Sequence, residues 1–450
     1  MQMNVQSRLS LWSWPLLAGL LASLNYGLQH RTGIEVNADG WAYWQGAQSI
    51  ADGSGYRYFS GDPIVAWPPL YSLYLSTWIG LFGSEAVVLV FANSVLTFIQ
   101  GLAWTLVYYC FAKNPLEANR IKYAAIYIAL TISLYEGSVL AHDLFYAILP
   151  IFIGSSWMTI THDGRRQSYS MLLTCVLGVA LVESHISGLV YTAAAASLFF
   201  VLRKGDAWGR AAGAVTILSI PSGAWILTAW RLGQFGGHPL EGGRFSFLQT
   251  LSQMADGIGY FVLPSSKQAL GVICSVVFFG VFLVRALEEK GDRRLFVFIF
   301  TTVSLSLLAI AFSITWLNGF VSESRHLLVV PLLVIPILNS YFMSSKTAIM
   351  KTAAFLIFIV PVWRSLFMDY SMTSEDLVPI YASISPLPGS GKTANVNGKM
   401  LIGPIQWEEP EGGYSSSGEP RWGPSQKGAV RAPAFHGEAP LRSAPNPPWD

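Results

Sequence analysis

Long apolar runs separated by short polar segments recur along most of the chain, at roughly 11–28, 86–112, 123–139, 143–161, 169–185, 188–202, 211–230, 268–287, 295–316, 327–344 and 352–368. A hydrocarbon core about 30 Å thick is crossed by about 20 helical residues, so this pattern predicts an all-α, polytopic transmembrane bundle of about eleven spans. The first run has no clear small-residue cleavage site and is followed by many others, so it reads as a retained helix and not a signal peptide. No period of 20 to 50 residues repeats, and no pair of interrupted helices occupies corresponding halves. Residues 1–368 are therefore expected to form one multi-pass domain.

The polar segments between the runs set the orientation. Basic residues gather in every second connection: Lys113, Arg120 and Lys122; Arg165 and Arg166; Arg203, Lys204 and Arg210; Arg285, Lys290, Arg293 and Arg294; then Lys346 and Lys351. Lys and Arg accumulate in cytoplasmic loops, which places the N-terminus inside. Residues 30–85, residues 231–267 and the tail after 368 then lie on the non-cytoplasmic side, where function is expected. This describes a cytoplasmic (inner) membrane protein with its working face outside.

Composition agrees with burial in lipid. The chain is 52% hydrophobic, 14% aromatic and only 12% charged, with mean hydropathy +0.44, against about 25% charge in a soluble domain. The net charge of +2 is spread over loops without a basic stripe, which excludes nucleic acid as an expected partner. Cys110, Cys175 and Cys274 fall inside apolar runs, where each behaves as a small buried hydrophobe and implies no disulfide framework. From about 369 the composition changes, and beyond 403 it becomes Gly, Pro, Ser and charge, which predicts an external tail (369–450) disordered at least beyond 403. Within that tail, Pro388-Gly389-Ser390-Gly391-Lys392-Thr393 suggests a phosphate loop, but Pro386 stands where its first glycine is required.

The first external loop (30–85) is the most informative segment. Asn37-Ala38-Asp39-Gly40 precedes an aromatic turn of Trp41, Tyr43, Trp44, Ala47 and Ile50, closed by the Gly-rich Asp52-Gly53-Ser54-Gly55-Tyr56. Trp and Tyr prefer the membrane interface, so the turn is expected to lie there as an anchor. Ala66-Trp67-Pro68-Pro69-Leu70-Tyr71 then stiffens re-entry, and the apolar stretch 70–82 is too short to span comfortably.

This arrangement resembles the GT-C superfamily of polyprenyl-phosphate-dependent glycosyltransferases, which includes protein mannosyltransferases and aminoarabinose transferases. The likeness covers residues 1–368 and rests on four features. These are the acidic residue after the first helix, the Ala-x-x-Ile-Ala-x-Gly-x-Gly-Tyr segment at 47–56, Pro68-Pro69-Leu70-Tyr71, and Ser324-Arg325-His326-Leu327-Leu328 leading to Pro331. The resemblance implies transfer of a sugar from a polyprenyl-phosphate donor to a lipid, glycan or protein hydroxyl, inverting, without a cofactor or an assigned metal. A phosphate leaving group is weakly basic, so the reaction needs one carboxylate as base and one cation on the phosphate. Asp39 fits the first role and Arg325 the second.

The plainer readings are that Asp39 caps the aromatic helix and Arg325 snorkels to headgroups. His142-Asp143-Leu144-Phe145 opens the fourth apolar helix on the external side, where the family carries an acidic residue before Leu-Phe. Asp143, with His142, is therefore a catalytic or substrate-binding candidate, the alternative being an ordinary helix cap. Glu183 and His185 stand at the outer end of the next helix as donor-binding candidates. Relatives carry an Arg near this point, and Ser184-His185-Ile186-Ser187-Gly188 departs from that pattern. Two rival functions remain: a transporter or flippase of lipid-linked sugars, and a transpeptidase using Cys175. Charges concentrated at external helix ends favour the enzyme over the first, and the depth of Cys175 disfavours the second.

Overall fold

The computed structural model describes residues 5–30, 34–36, 38–58, 63–65, 67–83, 86–112, 118–132, 141–185, 187–202, 246–262, 293–316, 327–344, 392–396 and 399–403, with isolated positions between them. Eleven helices and three strands are found among them. The helices are α1 (Val5–Gln29), α2 (Ala38–Ala51), α3 (Leu70–Phe82), α4 (Ala86–Phe111), α5 (Ala118–Ile132), α6 (Ala141–Thr161), α7 (Gly164–Ser184), α8 (Gly188–Leu202), α9 (Phe247–Val262), α10 (Arg293–Trp316) and α11 (Val329–Ser344). The strands are β1 (Ile34–Val36), β2 (Lys392–Val396) and β3 (Lys399–Gly403).

Eight apolar runs find their helix: α1, α4, α5, α6, α7, α8, α10 and α11. Those at 211–230, 268–287 and 352–368 fall largely outside the described residues, as does the tail beyond 403 that composition marks as disordered. Among the described residues, Val87–Phe111, Ala141–Thr161, Gly164–Ser184 and Arg294–Ala311 are long and apolar enough to cross a membrane. The 13-residue α3 reaches only about 20 Å at 1.5 Å per residue, short of a crossing. The all-α expectation holds for the membrane domain, and the small sheet is an addition that hydropathy does not announce.

The chain divides into two compact units, one of residues 1–22, 97–135 and 145–368, the other of 23–96, 136–144 and 369–450. The first has apolar outward faces suited to lipid: Leu16, Leu17 and Leu20 of α1 and Leu172, Leu173 and Val176 of α7 are exposed. Its core joins α4, α6, α10 and α11. Phe111 meets Trp157 and Phe298 edge-on at 5.9 and 6.3 Å, and the Tyr108 hydroxyl donates to the Leu332 carbonyl. Leu332, Leu333, Val334, Ile335, Ile337 and Leu338 of α11 point all round the helix and are all buried, so α11 runs through protein and not along lipid.

Close helix approach in this unit depends on small residues. A Cβ on Gly101 of α4 would stand 2.8 Å from the Ala18 carbonyl oxygen and 3.0 Å from the Gly19 Cα. Ala18 and Ala22 are wholly buried with Ala125 and Ala129 of α5. Without a hydrophobic drive between helices in lipid, such backbone contact supplies the association energy. The first helix is thereby part of the bundle.

The second unit contains the loop after α1. α2 packs on α3, and the sheet runs β1–β3–β2, antiparallel throughout.

Candidate functional site

The loop after α1 is built around aromatic packing, which corrects one expectation. Tyr43, Trp44 and Ala47 are almost fully buried, and so are Gln45 and Gln48 on the same helix. α2 is enclosed by protein and is not an interfacial anchor lying in lipid. The reason is α3: Tyr43 meets Tyr71 edge-on at 5.4 Å, and Ser72 Oγ donates to the Tyr43 carbonyl at 2.7 Å. Aromatic rings that would prefer an interface find a partner helix instead.

The Gly-rich segment closing α2 has a mechanical role. Gly53 and Gly55 take positive φ of 79° and 86°, a conformation that a side chain disfavours. This returns Tyr56 over α2, where its hydroxyl donates to the Trp67 carbonyl at 3.2 Å. A Cβ on Gly46 would lie 2.3 Å from the Tyr56 ring. Burial raises the Tyr56 pKa, so the phenol stays neutral and donates.

Asp39 is the second residue of α2 and stands in its first turn, three positions past the end of β1. Asp143 stands in the first turn of α6, and it and His142 are buried, with Asp143 only 3% exposed. Asp39, His142 and Asp143 all belong to the second unit.

Around Asp143 the structure adds residues to which the sequence pattern gives no role. The Tyr71 hydroxyl donates to Asn93 Oδ1 of α4 at 2.8 Å, both groups fully buried. Burial, with the Asp143 and Tyr26 side chains adding to it, holds the Tyr71 phenol well above its ordinary pKa. Burial raises Tyr74 as well, with the Asp143 charge adding to it against a hydrogen bond with Trp78. Tyr26 in turn stacks on His30 at 4.1 Å. His30 Nδ1 lies 2.9 Å from the Tyr26 carbonyl, which can only accept, so the proton sits on Nδ1. A buried carboxylate thus shares one compact unit with neutral tyrosines and an oriented histidine. The available signal is polarity at membrane depth: Asn93 interrupts an apolar run and His30 ends one.

Tyr71→Phe removes a donor to Asn93 Oδ1 while keeping the ring. Stability should fall by about 1 to 3 kcal/mol, the cost of a buried acceptor losing its partner. Thermal unfolding in detergent measures it, and an unchanged midpoint would mean that another donor satisfies the Asn93 oxygen.

Glu183 and His185 belong to the first unit, at the corner joining α7 to α8. The corner is tightly bonded: His185 N–H donates to the Leu181 carbonyl at 2.9 Å, and Gly188 N–H to the His185 carbonyl at 2.8 Å. The Ser187 N–H donates to His185 Nδ1 at 3.2 Å, so a neutral His185 carries its proton on Nε2. His185 also contacts Phe145 edge-on at 5.7 Å. Its ring is therefore committed on one side to shaping the corner. Arg325, the expected phosphate partner, and His326 lie outside the described residues.

Cys175 is 2% exposed within α7. Among the described residues, no group of three or more His, Cys, Asp or Glu is arranged to hold a metal. Lys392 and Thr393 of the glycine-containing tail segment begin a strand and not a helix, which is the wrong context for a phosphate loop.

No protein-family profile matches the chain, and no curated protein does. Solved structures do. ArnT from Cupriavidus metallidurans bound to undecaprenyl phosphate is similar over 79% of this chain and 71% of its own, with a TM-score of 0.52 at 13% identity. The apo oligosaccharyltransferase of Archaeoglobus fulgidus aligns with 80% of this chain and 55% of its own, with a TM-score of 0.49 at 13% identity. At such identities the likeness speaks to architecture alone, and the ArnT match carries it: the chain is an integral membrane protein whose helical part shares the fold of that structure.

Proposed function

We propose that this protein is a glycosyltransferase that moves a sugar from a polyprenyl-phosphate donor to an acceptor hydroxyl on the non-cytoplasmic side of the membrane. The observation that carries this reading is the pair of carboxylates, Asp39 and Asp143, each in the first turn of a helix within one compact unit of a GT-C-like fold. The similar ArnT structure was solved with undecaprenyl phosphate, which supports a polyprenyl phosphate as the lipid part of the donor. Basic residues in alternate connections support an external position for the loop bearing Asp39.

In this reading the acceptor hydroxyl attacks the anomeric carbon from the face opposite the phosphate, giving inversion. Positive charge builds on the sugar and negative charge on the departing phosphate. Asp39 takes the hydroxyl proton as the new bond forms. Arg325 holds the phosphate with paired N–H donors, and His185 is a further donor-binding candidate. Asp143 holds sugar or acceptor hydroxyls. Its burial disfavours solvent competition for those hydrogen bonds.

Purified protein in lipid, incubated with radiolabelled polyprenyl-phosphate sugars, should transfer label from at least one of them to an acceptor hydroxyl. A water-soluble nucleotide sugar alone, in lipid-free detergent, should give no turnover. Robust turnover with the nucleotide sugar would exclude a lipid-phosphate donor, and movement of intact donor across vesicles without transfer would identify a flippase.

A further inference from the structure

β1 has three residues, Ile34–Val36, too few to hold a strand conformation alone. What holds it is the far end of the chain. Ile34, Glu35 and Val36 pair antiparallel with Ile402, Leu401 and Met400 of β3. On its other side β3 pairs with β2, from Lys392↔Gly403 to Val396↔Lys399. The closing pair Val396↔Lys399 leaves two residues between the strands, and they are Asn397-Gly398. Asn-Gly is the strongest short-range signal for a two-residue hairpin, because both positions of the favoured turn need positive φ. The register pairs Lys392–Val396 with Lys399–Gly403 as the two arms of a hairpin, consistent with the Asn-Gly between them, with β3 the inner, doubly paired strand.

The position of the docked strand gives the hairpin a consequence. Only Asn37 separates Val36 of β1 from Ala38 at the start of α2, and Asp39 is the next residue. Fixing β1 fixes where the chain enters α2. We propose that the C-terminal hairpin is a positioning element that docks on the first external loop and sets the start of α2, and with it the placement of Asp39. The link to catalysis rests on the function proposed above; the docking does not. The lysine and threonine of the phosphate-loop look-alike are accounted for as the opening of β2.

The test uses the full-length protein in lipid. The paired positions are bridged in two double variants, Ile34→Cys with Ile402→Cys and Glu35→Cys with Leu401→Cys. Directly opposed antiparallel residues lie about 4.5 or 5.5 Å apart at Cα, both within disulfide reach. Each pair should cross-link on mild oxidation, and the out-of-register pair Ile34→Cys with Met400→Cys should not. Leu401→Pro is the complementary variant, since a doubly paired strand cannot lose an N–H without losing a ladder bond.

Hydrogen exchange is then read at Ala42, Tyr43 and Trp44, whose N–H groups bond the first carbonyls of α2; the first four helix amides have no such bond. Leu401→Pro should accelerate exchange there about tenfold or more. Turnover of the labelled donor should fall on the order of tenfold through kcat with little change in KM, as expected of a displaced base. The oxidised in-register variants should keep wild-type turnover. Equal cross-linking in and out of register would overturn the docking. Unchanged exchange at 42–44 in Leu401→Pro would overturn the positioning. If no polyprenyl-phosphate sugar is turned over by the wild type, the proposed function fails while cross-linking and exchange still decide the strap.

Discussion

Asp39→Asn should lower turnover by roughly 10² to 10⁴-fold while leaving donor affinity nearly unchanged. The substitution keeps the shape of the side chain and removes its basicity, and general-base catalysis contributes about that factor. Donor binding is assigned elsewhere, to Arg325 for the phosphate and to the helices for the prenyl chain. Arg325→Ala should therefore differ in kind, weakening donor affinity together with rate, because a phosphate in a partly dehydrated site loses its charged partner. Single-turnover rates and donor titrations on both variants in membranes separate the two signatures. Near-normal turnover of Asp39→Asn would make Asp39 a helix cap and move the base to Asp143.

The second large effect is structural and needs a single methyl group. Gly188→Ala should destabilise the fold by about 3 kcal/mol, the upper end of overpacking costs, roughly a hundredfold or more in the folded population. A Cβ on Gly188 would sit 2.5 Å from the Leu181 carbonyl carbon, 2.6 Å from the Val182 nitrogen and 2.7 Å from the Leu181 oxygen. All three are backbone atoms of α7, so no rotamer change relieves the contact. Gly154→Ala is the matched control, since its Cβ would meet only Cys110 Sγ at 3.5 Å and Val107 Cγ2 at 3.7 Å. Thermal unfolding of the two in one detergent compares them directly, and equal midpoints would mean that the α7–α8 corner opens without cost.

Asp39 is a candidate from sequence alone because it is an acidic residue in the loop after the first apolar run and before an aromatic cluster, a local pattern that needs no tertiary knowledge. Asp143 is a candidate on similar grounds, as an acid opening an apolar run. The long helices follow from hydropathy, which reports burial in lipid or protein without distinguishing them. That ambiguity explains the error over α2, whose Tyr43 and Trp44 look like interfacial anchors until α3 is laid against them. The Tyr71–Asn93 bond joins positions 22 residues apart on two helices, and no spacing rule connects them. His185 reads as a ligand group from its place at a helix end, whereas its Nδ1 accepts from the backbone of its own corner.

The glycines divide the same way. Gly53 and Gly55 announce a turn by their density, and their positive φ bears this out. Gly46 sits inside α2, where glycine only costs stability, and Gly188 opens α8 without a glycine-rich turn around it. Their reason is a neighbour at contact distance, Tyr56 in one case and the backbone of α7 in the other.

The pairing of β1 with β3 also orders events in the life of the chain. Residue 401 is synthesised long after its partner 35, so at about 5 to 20 residues per second the loop strand waits roughly 20 to 70 seconds for its mate. Contacts this distant in sequence are the slowest to close. The segment leading into Asp39 therefore acquires its final form only after every intervening helix has been made, and a chain that stops early leaves that segment without its partner strand.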